Sequence, residues 1–289
     1  MQYDSGRDFW WLLLRPWIAI PRLIQVLWTL SGLVIVLLLR GSSSDADVQR
    51  GLARRILNTL TGLGPCFIKL GQALSTRPDL VRRDWLEELT RLQDDLPAFP
   101  HSIALSRIEQ ELGAPAEQLF EEFPSAPIAA ASLGQVYKAR LEGQSWVAVK
   151  VQRPNLTFIL RRDLVLIRAL GVLTAPFLPL NLGFGLGSII DEFGRSLFEE
   201  IDYEQEADNA ERFATLFVDN PAVYVPRVER MLSSTRVLTT TWIEGSKMRN
   251  SQELIDQRLD PAALIRTGVI CGLQQLLEFG YFHADPHPG

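Results

Sequence analysis

Between Ile128 and Lys150 the periodicity of the chain changes. Upstream of Pro127 apolar residues recur with a helical period. Gly134 to Leu141 alternate instead, Glu142-Gly143-Gln144 supplies a turn, and Trp146 to Val151 is a β-branched run carrying Lys150 among Val147, Ala148 and Val149. This hairpin restricts the fold more than any other stretch. Its second strand must bury one face, and an ammonium on that strand needs a carboxylate to hold it. The residues ahead of the hairpin are Ala129, Ala130, Ala131 and Ser132. A loop covering phosphates is ordinarily rich in glycine, because only glycine frees the backbone for φ > 0 and close approach.

Lys150 at the end of an apolar strand is poorly explained by packing. Such a side chain is suited to standing over phosphates as a point charge, and VAVK after a small-residue loop is a kinase signature element. A carboxylate partner is available in EEIDYEQEADNAE at 199–211, within an expected helix from Ile189 to Phe217. Asp202 and Glu206 share a face there at i, i+4, and Glu200 points elsewhere. A solvated acidic face is the alternative reading. Two strand-like segments follow, Ala222 to Val228 and Arg236 to Ile243, with Glu244-Gly245 where a chain would cross between lobes.

Residues 48–123 carry four helix-period patterns, VQRGLARRILNTL, PCFIKLGQALS, RRDWLEELTRLQDDL and SIALSRIEQELG, the last closed by Gly113. In the second, Lys69, Gln72 and Thr76 share one face, which on spacing alone also fits a solvated surface. The last residues, YFHADPHPG, follow an expected helix from Pro261 to Phe279. Asp285 suits an aspartate that orients an attacking group, while the His-Ala-Asp-Pro-His run also has metal-ligand chemistry. Gly183, Gly185 and Gly187 lack the spacing of a dinucleotide fingerprint.

Composition narrows the partners. Lys and Arg number 29 against 34 Asp and Glu, with no basic run, so no nucleic-acid footprint is expected. Cys66 and Cys271 match no metal or redox spacing, which favours reduced thiols on a cytosol-like, reducing side. The N-terminus differs from the rest. Residues 1–55 hold seven Arg against four Asp, and four of the seven Trp fall at Trp10, Trp11, Trp17 and Trp28. Leu23 to Leu39 is free of charge, and Arg22 and Arg40 bound it. Its 17 residues sit at the lower edge of a spanning length. Membrane contact, a helix buried against the protein and a cleaved signal all remain open; the missing basic leader and cleavage site disfavour the last. GSSSDAD at 41–47 reads as a polar linker with a helix cap.

Taken together, FIKLGQALSTRPDL, AAASLGQVYKA, VAVKVQRP, EIDYEQEA and FHADPHPG resemble, in that order, the UbiB/AarF atypical kinases, which include the mitochondrial coenzyme Q kinases. The resemblance runs from about Ile56 to Gly289. It implies an α+β protein-kinase-like fold, with a helical extension at 48–123, a small lobe and hinge at 124–245, and the start of a large lobe at 246–289; the apolar membrane-associating segment and linker at 1–47 are read from their own residues. It implies that ATP or ADP binds with Mg²⁺ among Ala129 to Ser132, Val136, Ala148, Lys150 and a hinge at Glu244 and Gly245. Glu206 would pair with Lys150, and Asp285 would be the catalytic-loop aspartate. Lys69, Gly71 and Gln72 match the family's KxGQ segment, and Glu200 and Asp202 match the ExD motif that faces it. The asparagine and DFG aspartate that hold Mg²⁺ in the family would lie after Gly289, so the 289 residues alone are expected to turn over little. The implied substrate is a quinone-like or isoprenoid molecule or a membrane lipid. A protein kinase and a nucleotide-gated lipid-binding or scaffold module without phosphotransfer are the alternatives.

Overall fold

A computed structural model describes the chain except residues 1–2, 76, 78–80, 91–96, 144, 178–184, 246–250, 257–258 and 284–289. Helices α1 (Ser5–Leu13), α2 (Pro16–Arg40), α3 (Ala46–Leu63), α4 (Pro65–Ser75), α5 (Arg83–Thr90), α6 (His101–Leu112) and α7 (Ala116–Leu119) precede the sheet. Strands β1 (Ala129–Ala130), β2 (Gly134–Arg140) and β3 (Trp146–Gln152) follow. Then come α8 (Leu156–Thr174), α9 (Leu186–Glu200), α10 (Tyr203–Leu216), β4 (Val237–Thr241), α11 (Ser251–Asp256) and α12 (Pro261–Leu273), the last running into a wide turn at Gln274–Glu278. The fold is α+β and kinase-like, as the motifs imply.

The sheet is antiparallel in the order β1-β2-β3-β4. Alternation sorts its two faces. Tyr137, Ala139, Val147, Val149, Val151 and Val237 are buried against Ala104 and Ile108 of α6. The opposite face, with Val136, Lys138, Ala148 and Lys150, stays half-open. Gly143 turns the β2–β3 hairpin at φ 87°, where a side chain would be strained.

A second core joins α3, α4, α8 and α9 through Leu60, Leu63, Cys66, Phe67, Leu160, Leu164, Leu197 and Phe198. The N-terminal helices dock on this layer. Arg22 of α2 forks onto Asp163 of α8, with Nε 3.0 Å from Oδ1 and Nη2 2.8 Å from Oδ2, and it also donates to the Leu63 carbonyl. Asp8 of α1 pairs with Arg161 at 3.0 Å, and Tyr3 donates to Asp191 of α9. Residues 3–47 are therefore joined to the helical layer by buried charges as well as by apolar contact. Asp45 caps α3 by accepting from the Asp47 amide, as the polar stretch there suggests.

Two expected elements differ. The single helix from Ile189 to Phe217 is two helices, because Asp202 leaves helical geometry and caps α10, accepting from the Gln205 amide. Asp202 is thus a junction residue and does not share a helical face with Glu206. Ala222 to Val228, preceded by Pro221 and interrupted by Pro226, forms no strand; only Val228 bridges to Thr240. Cys66 and Cys271 are free thiols, and burial pushes Cys66 well above its ordinary range.

Candidate nucleotide cleft

β3 places Lys150 on the open face of the sheet, beside Val136 of β2 and Leu238 of β4, while Ala148 lies beside Lys138 and Thr240. The small Ala148 and branched Val136 leave a flat apolar floor. Lys150 Nζ donates to both carboxylate oxygens of Glu206, at 2.9 and 2.7 Å, and stands 4.6 Å from the ring centre of Tyr203. Burial works against the ammonium, but Tyr203 and Glu206 more than offset it, so Lys150 is held above its usual range. It stays charged throughout the neutral range.

α10 supplies both partners of Lys150 from its first turn. Gln152 of β3 fixes the start of that helix by donating to the Ile201 carbonyl at 2.7 Å. Tyr203 donates its amide to Thr235 at 3.1 Å. Its own hydroxyl is buried and has no hydrogen-bond partner, and burial followed by the nearby carboxylates pushes it up to about 12 against the opposing pull of Lys150.

The alanine loop is a short strand. Ala129 and Ala130 pair with Val136 and Gln135, and the Ala131 amide donates to the Gly134 carbonyl at 2.8 Å. The described non-glycine residue with positive φ is Asn155, so the alanines take extended geometry that costs them nothing. Ser132 is buried. Arg153 holds the loop from beneath, donating to Ala131 at 3.0 Å and Pro97 at 2.7 Å, with its backbone amide on Leu133. Burial lowers the Arg153 guanidinium from its ordinary value.

The helical extension reaches the α9–α10 junction. Lys69 of α4 forms an ion pair with Glu200, the last residue of α9, and Glu200 also acts on Lys150 through its charge. Gly71 is buried in α4; Gln72, one residue on, is half-buried. Thr76 lies outside the described residues. At the other end of the cleft, Glu244 accepts from Lys138 and from the Trp242 indole, both at 2.7 Å. These two donors hold its carboxyl below the usual range. Lys138 stands between the rings of Trp146 and Trp242, 5.1 and 4.6 Å from their centres. Gly245 follows with open space around its Cα.

Asp285 lies outside the described residues, as does His287 of the His-Asp-His run that could hold a metal; His283 is described, and its amide donates to Gln275 Oε1 at 2.9 Å. The segment just before it is tied to α10: Tyr281 donates to Asn209 at 2.6 Å, under the Arg212 guanidinium 4.1 Å from its ring centre. Among the described residues no three His, Cys, Asp or Glu side chains gather as a metal site.

The sequence reading passed over Gly134, Tyr203, Gln152 and Arg153. Each stood inside a quoted motif, yet its partner lies far along the chain, and only the strand register shows which face it takes.

Comparison with known proteins gives the family. The description "ABC1 atypical kinase-like domain" matches residues 91–289. The chain is 44% identical over 275 residues to the Arabidopsis thaliana protein ACTIVITY OF BC1 COMPLEX KINASE 1, chloroplastic, covering 93% of this chain and 40% of that protein. It is 49% identical over 276 residues to the uncharacterized protein slr1919 of Synechocystis, covering 95% of this chain and 49% of the relative. The chain thus spans about half, or less, of the length of these relatives. Among solved structures, Rv3197 of Mycobacterium tuberculosis, determined with erythromycin, is 30% identical with a TM-score of 0.55, over 84% of this chain and 61% of that one. With its strand lysine, helix carboxylate and ordered motifs, the chain belongs to the ABC1 atypical kinase-like family.

Proposed function

We propose that the chain carries the nucleotide-binding part of an ATP-dependent atypical kinase or ATPase that acts at a membrane on a quinone-like or isoprenoid lipid. The paired Lys150 and Glu206 on the open face of the sheet carry this reading. A charged, forked pair on an apolar floor is what a triphosphate needs at its phosphate end. Val136 and Ala148 would receive the base, Lys150 would neutralise phosphate oxygens, and Glu206 would keep the ammonium aimed. The strand-forming loop Ala129 to Ser132 would cover the nucleotide with less freedom than glycine allows.

The described residues fit ATP; they gather no carboxylate cluster for Mg²⁺, and no step is routed through the metal. When bound, Mg²⁺ would neutralise charge on the phosphates. Asp285 would orient the attacking oxygen and accept its proton.

The Lys69–Glu200 pair supports a small or lipidic acceptor. It fastens α4 at the end of the cleft where Lys150 stands, the side from which a peptide would approach phosphates. The discriminating experiment uses the full-length protein with labelled ATP. Phosphate release or transfer stimulated by phenolic or isoprenoid lipids in vesicles is expected; phosphorylated protein substrates with no lipid effect would overturn the lipid reading.

A further inference from the structure

α2 is long and apolar enough to cross a membrane, yet its packing is one-sided. Trp17, Ile24, Trp28, Ile35 and Leu38 are exposed and recur at three, four and seven residues, so they form one stripe down the helix. Trp17 is 70% exposed and Trp28 81%. Trp10 of α1 is exposed as well, at 61%. The opposite stripe, Arg22, Val26 and Leu33, is buried.

Arg22 decides the orientation. Its fork onto Asp163 and its bond to the Leu63 carbonyl fix α2 against α8 and the end of α3. α3 itself exposes Arg50, Arg54 and Arg55. A helix crossing a bilayer would carry these guanidiniums into hydrocarbon about 30 Å thick, at a cost of several kcal/mol each. Lying flat avoids that cost.

We infer that α2 lies in the plane of a membrane, with the Trp17–Leu38 stripe at the boundary of headgroups and acyl chains and the α3 and α8 side in water. The occupant of the stripe is an anionic lipid surface. Residues 1–55 carry seven Arg against four Asp; Arg7 and Arg40 are exposed around the stripe and Asp8 is buried and paired with Arg161, so the net charge of the region is positive even with Asp4, Asp45 and Asp47 exposed. Tryptophan rings suit that depth, with an apolar body and a polar N–H. The inference rests on the membrane part of the proposed function.

Nitroxide labels placed singly at positions 17, 24, 28 and 35 of the full-length protein test it on vesicles of phosphatidylglycerol and phosphatidylcholine. Relaxation by oxygen and by a water-soluble nickel chelate should put all four labels at one shallow depth. A label at position 30, on the packed side, should meet no lipid. A depth that increases steadily from position 17 to position 28 would show a span and overturn the inference. Vesicle binding with all four labels in water would overturn it while leaving the membrane reading intact. Absence of vesicle binding would end both. Labels immobilised in vesicle-free dimers would assign the stripe to a second copy and overturn it too. Trp17→Glu combined with Trp28→Glu should weaken vesicle binding at least about tenfold with an unchanged circular dichroism spectrum. A change under about twofold would contradict the inference.

Discussion

Gly134 begins β2 directly against Tyr203. A Cβ there would lie 2.7 Å from the Val151 carbonyl oxygen and 2.8 Å from the Tyr203 hydroxyl. One of the obstacles is backbone, so the clash cannot be relieved by rotating a side chain. Gly134→Ala is expected to cost about 1–3 kcal/mol, read as a lower urea midpoint at unchanged slope. The Tyr203 hydroxyl makes a second test. It is buried without a partner, so Tyr203→Phe should shift stability by less than about 1 kcal/mol at pH 7. Above pH 10 the variants should diverge. An unfolded tyrosine releases its proton near 10, whereas Tyr203 holds it to about 12. The folded state therefore binds more protons in that window, and stability falls as pH rises through it. Lys150, also raised, contributes with the same sign. Denaturation curves at pH 7 and 11 should show a shallower alkaline loss in Tyr203→Phe than in the parent; equal losses would contradict the assignment.

At the scale of elements, the joints between helices shape the site. α9 and α10 meet at Ile201–Asp202, where Gln152 and the Asp202 cap turn the chain so that Glu200 faces Lys69 and Glu206 faces Lys150. The break gives Glu200 and Glu206 separate helix axes, each aimed at its own partner. The joint was illegible in the sequence because Asp202 also fits a helical face; the cap appears only once Ile201 and Tyr203 are seen to be buried. The hairpin, by contrast, was legible residue by residue, since its alternation, Gly143 and the apolar run around Lys150 all point to one register. The N-terminal joint carries the stability prediction. Asp163→Ala leaves the buried Arg22 without its carboxylate and should cost on the order of 3–5 kcal/mol, whereas Arg22→Met with Asp163→Leu should recover most of that loss. Urea denaturation of the three proteins checks it. Parent-like stability in both variants would contradict the Arg22–Asp163 fork as a stabilising joint.

Across the whole molecule, two cores are arranged around one open sheet face. α6 closes the back of the sheet, and the α3–α4–α8–α9 layer brings Glu200 and, through α10, Glu206 to its front. The sequence revealed the fold class and the Lys150 and Glu206 pairing because ordered motifs carry them. It left open whether the 17-residue apolar run is a core helix or a membrane element, since burial on one side and exposure on the other is a property of tertiary packing alone. Lys150, Glu206 and the Lys69–Glu200 pair meet at one end of the cleft. The most direct measurement is calorimetric titration of the full-length protein with ATP, in the parent, Lys150→Ala, Glu206→Gln and the double variant. Lys150→Ala should weaken ATP about 10- to 100-fold, and the double variant should be little weaker than that, because the two side chains act as one unit. ATP affinity within about twofold of the parent in Lys150→Ala would contradict the nucleotide cleft itself.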